Sequence, residues 1–181
     1  MMNIRLIIFS LFVAVVVSAC GGDSSSSTDT ATDPVATGDN TTINSYTLTG
    51  TSVTSNGVTP INAGVNNGVF RVEWNVTSSD PYHVDLFLSD DNTLSETTDT
   101  QISSHNCGAL DILYECDAVT SLDGSFDNQN KISVGTVNTF NPGADLTNFL
   151  STIPKSAFMI IKACNSLLSN CKTSAIAIEL Q

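Results

Sequence analysis

The sequence predicts an all-β fold, an antiparallel β-sandwich, and three of its features carry that expectation. Residues Val69 to Thr77 alternate strictly: Phe70, Val72, Trp74 and Val76 fall on one face, and Arg71, Glu73, Asn75 and Thr77 on the other. A period of two marks a half-buried strand. Similar short apolar runs recur along the chain between turn-forming residues, the pattern of many short strands in two packed layers. Charged residues make up only 13% of the chain while Ser, Thr, Asn and Asp abound. That composition suits strands and turns better than helices.

Taken in order, the chain opens with a positive flank at Arg5 and an apolar run from Leu6 to Val17, broken only by Ser10. A helix needs about 20 apolar residues to span a bilayer, so the run reads as the centre of an export signal. Val17-Ser18-Ala19-Cys20 comes next. An aliphatic residue, two small ones and a cysteine resemble the lipobox of bacterial lipoproteins. The small residues admit the processing peptidase, and the thiol accepts a diacylglycerol. The resemblance implies a signal peptide at 1–19 and a mature N-terminus at Cys20 carrying acyl chains such as palmitate. One chain anchors marginally and two or more hold firmly, so stable attachment follows. The residue after the cysteine is Gly21 and not Asp, which by the same resemblance points to the outer membrane. It leaves the periplasmic or surface face open.

Residues 20–44 read as a tether. Gly21-Gly22-Asp23 and Ser24 to Ser27 open a stretch without apolar periodicity, which is expected to stay disordered. About 24 residues of such coil have an r.m.s. span near 25–30 Å, enough to let a domain stand off the membrane and rotate. What remains, 45–181, is roughly 135 residues, one domain's worth. A domain of that size buries about two-thirds of its unfolded surface and needs no cofactor to hold a core.

The first strand is expected at Tyr46–Gly50. Val69–Thr77 follows, then a turn at Ser78-Ser79-Asp80-Pro81 and a second alternating run with Tyr82, Val84, Leu86 and Leu88 facing inward. The two runs are expected to pair as a hairpin. Further strands are expected near Ile102, at Ile112–Val119, Ile132–Thr139, Ala157–Cys164 and Thr173–Leu180. A turn is expected at Asn141-Pro142-Gly143, and one helical turn crossing between sheets at Asp145–Leu150. Phe70-Arg-Val72-Glu-Trp74 resembles the second strand of fibronectin type III domains, and Tyr82-His-Val84-Asp-Leu86 the third. The segment from Val84 also resembles the CARDB group of bacterial adhesion-related domains. The resemblance implies an immunoglobulin-like sandwich with Trp74 in its core.

Of 5 cysteines, Cys20 belongs to the lipobox, leaving Cys107, Cys116, Cys164 and Cys171. An even number in an exported domain suggests two disulfides, of which four cysteines permit three pairings. The local pairing Cys107–Cys116 and Cys164–Cys171 is favoured, the second pair bracketing the polar loop Asn165 to Asn170 between two strands. Loop entropy makes each cross-link worth about 2.5 kcal/mol. The spacings are too long for a zinc site, and no Cys-X-X-Cys is present for redox work.

Three constellations bear on chemistry. Asp90, Asp91, Asn92, Glu96 and Asp99 offer several oxygens within ten residues, enough for a speculative calcium site but without the residue order of an EF-hand. Asp and Asn also fill turns for backbone reasons. His83 falls on the outward register of its strand and His105 precedes a cysteine loop. Neither belongs to a Gly-X-Ser-X-Gly or His-Glu-X-X-His motif. Phe87 and Tyr114 are the aromatics expected at the surface.

The net charge is −12, and loss of Arg5 leaves 5 basic residues against 18 acidic, net −13. Scattered acids and few cations oppose nucleic acid as a partner and repel anionic headgroups. The expectation is a non-enzymatic envelope lipoprotein whose sandwich serves adhesion or protein interaction, with no cofactor. The alternatives are a calcium-dependent glycan or small-ligand binder using 89–99 and, third, a small hydrolase using His83 or His105.

Overall fold

The alternating run at Val69–Thr77 is a strand over its whole length, and its inward residues Phe70, Val72, Trp74 and Val76 are all buried. The structure, a computed structural model, describes residues 41–78, 81–108, 116–117, 119–136 and 143–181. Ten strands run through them: β1 Thr42–Thr49, β2 Thr59–Ile61, β3 Val69–Thr77, β4 Tyr82–Ser89, β5 Thr100–Cys107, β6 Val119–Phe126, β7 Lys131–Val134, β8 Ala144–Asp145, β9 Lys155–Asn165 and β10 Lys172–Leu180. They form two sheets, ordered β1-β3-β6-β7-β8 and β2-β10-β9-β4-β5. Every pairing is antiparallel except that of β2 with β10.

The expected β3–β4 hairpin does not form. β3 pairs with β1 and β6, whereas β4 pairs with β5 and β9 in the other sheet. Alternation fixes which face of each strand is apolar, and both apolar faces are satisfied by meeting across the core instead of lying side by side. The chain therefore passes from one sheet to the other between β3 and β4, and Ser79 and Asp80 of the expected turn lie outside the described residues.

Strand β1 begins earlier than its alternation signals. Asn44 is the extra residue where the register with β3 shifts, and its amide donates to Asn75 (3.0 Å) and Thr77 (2.8 Å). The expected strands near Ile102, Ala157–Cys164 and Thr173–Leu180 are β5, β9 and β10. The expected Ile132–Thr139 is shorter, ending at Val134. Most of the expected Ile112–Val119 strand and the Asn141-Pro142 turn lie outside the described residues. Leu150 N–H bonds the Leu146 carbonyl (2.8 Å), closing one helical turn on the crossing from β8 to β9.

Between the sheets lie Phe70, Trp74 and Phe126 from the first and Leu86, Leu88, Met159 and Ile161 from the second, each at most 2% exposed. Burial of one such side chain is worth about 1.5–3 kcal/mol. β1 also touches β10, and β5 touches β7 and β8, so the open sides of the sandwich are covered.

Candidate functional site

The outer face of the second sheet carries a hydrogen-bonded polar cluster that β4, β5 and β9 build. His83 and Asp85 share the outward face of β4, two residues apart. The β4–β5 register sets Asn106 opposite His83 and Ser104 opposite Asp85. A bulge between Leu86 and Phe87 then brings Gln101 opposite Phe87. From the other side β9 sets Lys162 opposite Asp85.

One carboxylate oxygen holds the cluster together. Asp85 Oδ1 accepts from Ser104 Oγ (2.8 Å) and Gln101 Nε2 (2.8 Å), and lies 2.9 Å from His83 Nε2. His83 Nδ1 lies 2.9 Å from Asn106 Oδ1. An imidazolium satisfies both contacts, donating one N–H to Asp85 and the other to Asn106. The hydrogen bond to Asp85 raises the His83 pKa against the opposing effect of burial, with help from Asn106 and the Asp85 charge. Burial alone would raise Asp85. The hydrogen bond and charge of His83, the Ser104 hydroxyl and the Lys162 charge outweigh it and leave the carboxyl below its usual range.

The order of these contacts decides what the cluster can do. Nucleophilic catalysis needs the serine on one imidazole nitrogen and the acid on the other. Here Ser104 Oγ (2.9 Å) and Asp85 both meet Nε2, and the hydroxyl already donates to the carboxylate. The arrangement is a charge-paired clasp tying β4 to β5. His105, the other histidine, is 1% exposed and lies with its ring 6.0 Å from that of Trp74 in the core.

Two ion pairs tie back the acidic loop after β4, the first of them on this face. Glu96 pairs with Lys162 (2.7 Å) and Asp90 with Lys155 (2.6 Å), whose ammonium also lies 4.5 Å from the Phe149 ring. Asp91 Oδ1 accepts the Thr93 N–H and Asp99 Oδ2 the Ser95 N–H, both at 2.7 Å. Asn92 stays at the surface, with Oδ1 3.4 Å from the Thr93 hydroxyl. The five oxygen-bearing side chains thus serve separate turns and ion pairs. Among the described residues no group of three His, Cys, Asp or Glu is placed to hold a metal ion.

Phe87 corrects a sequence expectation. It does face outward, but it is only 4% exposed and its register partner Ile160 only 1%, so it offers no stacking platform. Tyr114 and Cys20 lie outside the described residues. The cysteines pair as Cys107–Cys116 and Cys164–Cys171, with Cα atoms 4.5 and 4.1 Å apart. The sequence reading missed Asp85, Gln101, Ser104, Asn106 and Lys162. His83-Val84-Asp85 was the available signal, since residues two apart on a strand share a face. Comparison with protein-family models, curated proteins and solved structures finds no match to the chain.

Proposed function

We propose that the chain is a bacterial envelope lipoprotein, held in the outer membrane through acylated Cys20, whose sandwich is an immunoglobulin-like module for adhesion or protein interaction. One observation carries the reading. Of 5 cysteines, four pair within the sandwich and the one left over is the cysteine of Val17-Ser18-Ala19-Cys20. Two disulfides fit an oxidising compartment, and the unpaired thiol stands where lipid attachment requires it. The order β1-β3-β6 facing β10-β9-β4-β5 supports the immunoglobulin-like assignment, with Trp74 on the second strand of its sheet and buried.

Labelling of growing cells with a radioactive fatty acid tests the anchor. Wild type incorporates label and its mature N-terminus is a modified Cys20, and Cys20→Ser incorporates none. Label retained by Cys20→Ser, or free thiols at the other four positions, contradicts the proposal. Deleting the chain and assaying adhesion, with cross-linking in the envelope, tests the interaction role. No adhesion defect and no cross-linked partner would count against it.

A further inference from the structure

Strand registers bring the start of the described chain and one disulfide hairpin to the same end of the sandwich. Thr42 pairs with Thr77 at the end of β3, and the Thr41 hydroxyl lies 3.4 Å from that of Ser78. The short link to β4 leads to Tyr82, whose register partners are Cys107 and Asn165. Asn165 opens the Cys164–Cys171 loop. Everything N-terminal to Thr41, Cys20 included, therefore joins the sandwich at the end that presents this loop.

The loop is braced to hold two leucines out in solvent. Leu167 is 82% exposed and Leu168 64%. Leu168 has φ of 54°, a left-handed conformation that a bulky residue adopts only when its surroundings impose it. They do so here. The Leu168 N–H bonds the Asn165 carbonyl (2.9 Å), and the Asn165 side chain accepts both the N–H (2.8 Å) and the hydroxyl (3.0 Å) of Ser169. The disulfide closes the base. Val119, 71% exposed at the start of β6, lies at the same end, since it pairs with Asn75 near the close of β3. The chain has 18 acidic residues, yet none falls between Asn165 and Asn170, and the nearest charges in sequence are Lys162 and Lys172. Val53, Val65, Val69 and Ile153, also exposed, fall in loops or at a strand start towards the opposite end.

We propose that the Leu167–Leu168 tip inserts into the lipid interface of the membrane that anchors the chain, so that the sandwich rests on the bilayer by this end. The inference rests on acylation of Cys20 in the proposed function. The coil that the sequence predicts between Cys20 and Thr41 would have an r.m.s. span near 25 Å, which keeps the tip within reach of the leaflet. A rigid loop enters lipid without a fresh ordering cost. An uncharged tip escapes the repulsion that the rest of this acidic surface meets.

The test uses the mature full-length chain with phosphatidylcholine vesicles and a Leu167→Trp probe. Trp74, the sole native tryptophan, is 1% exposed and gives a constant background. Vesicles should shift the probe's emission to the blue, and lipids brominated on the acyl chain should quench it. Emission that stays at the water-exposed wavelength without quenching, while the protein floats with the vesicles, overturns the insertion. The same probe in a Cys20→Ser chain separates the two ideas. Loss of flotation confirms the anchor, whereas flotation like that of wild type refutes it. In either case a blue shift at high lipid reports the tip alone, and adding Leu168→Ser should weaken that partitioning about tenfold. No shift at any lipid concentration in either chain removes the proposal.

Discussion

Removing the Asp85 carboxylate would leave Ser104, Gln101 and His83 facing an acceptor that no longer exists. Unsatisfied donors at a mostly buried site cost more than the bonds themselves contribute, so Asp85→Ala is expected to lose about 2–3 kcal/mol and Ser104→Ala about 1 kcal/mol in urea unfolding. Equal losses would mean that the carboxylate is not the shared acceptor. The His83–Asp85 pair also makes stability depend on pH. His83 has a raised folded pKa, so its contribution is complete below the unfolded value, about 6.5, and disappears as pH rises through the folded value. Asp85 has a lowered folded pKa, so its contribution is complete above about 4 and disappears as pH falls through the folded value. Both are therefore present between about pH 4 and 6.5. The difference in urea midpoint between wild type and His83→Gln should be largest near pH 5 and shrink towards about pH 9. A difference that stays flat over that range would show that the imidazole acts only by packing. Comparing the two chains cancels the general effect of the acidic surface, which they share.

Strand β6 shows how little apolar character a central strand can need. Its inward positions are Thr120, Leu122, Gly124 and Phe126, and its outward ones include Ser121, Asp123 and Ser125. Gly124 is required because β3 sets Phe70 opposite it. A Cβ added there would lie 2.3 Å from the Phe70 ring, which is itself buried between the sheets. Gly124→Ala is therefore expected to destabilise by about 1–3 kcal/mol, and Phe70→Leu in the same chain should restore part of that loss. Additive losses in a double-mutant cycle would show that the two sites do not meet. The same feature explains why β6 was not legible in sequence. A glycine and a threonine at inward positions erase the alternation that made β3 readable to the residue. β2 escaped notice for another reason, being three residues long with Pro60 at its centre. Alternation revealed which faces of β3 and β4 point inward and was silent on whether they share a sheet, because either arrangement buries the same stripe. In the polar cluster, His83 and its neighbour two positions on could be read directly. Gln101, Ser104 and Asn106 could not, since their places opposite β4 depend on a bulge that no local pattern announces.

At the scale of the molecule, both disulfides stand at one end, and their effects on stability and on reactivity should separate. Each closes a short loop, of sequence separation 9 for Cys107–Cys116 and 7 for Cys164–Cys171. Loop entropy makes each worth about 2.5 kcal/mol, a large part of the 5–15 kcal/mol by which domains are stable. Replacing Cys164 and Cys171 with Ser should therefore lower the urea midpoint by an amount equivalent to about 2.5 kcal/mol. The loss should not be felt uniformly in amide exchange. The loop's own Leu168 and Ser169 amides should approach free-chain rates, because the left-handed Leu168 is then held only by Asn165. The amides of Ile178 to Leu180, paired to β2 and β9 at the opposite end, should accelerate only by the global change. Reactivity follows exposure instead of loop length. Cys107 and Cys116 are 0% and 8% exposed, whereas Cys164 is 1% exposed but bonded to a Cys171 that is only half-buried. A reductant reaches a sulfur only where the thiolate can approach along the bond. Under native conditions Cys164–Cys171 should thus reduce first, at a rate set by local opening, and Cys107–Cys116 only as the sandwich unfolds. Mass mapping of alkylated thiols over time separates the two. Simultaneous reduction would mean that this end of the sandwich opens as one unit, with the leucine tip and both cross-links lost together.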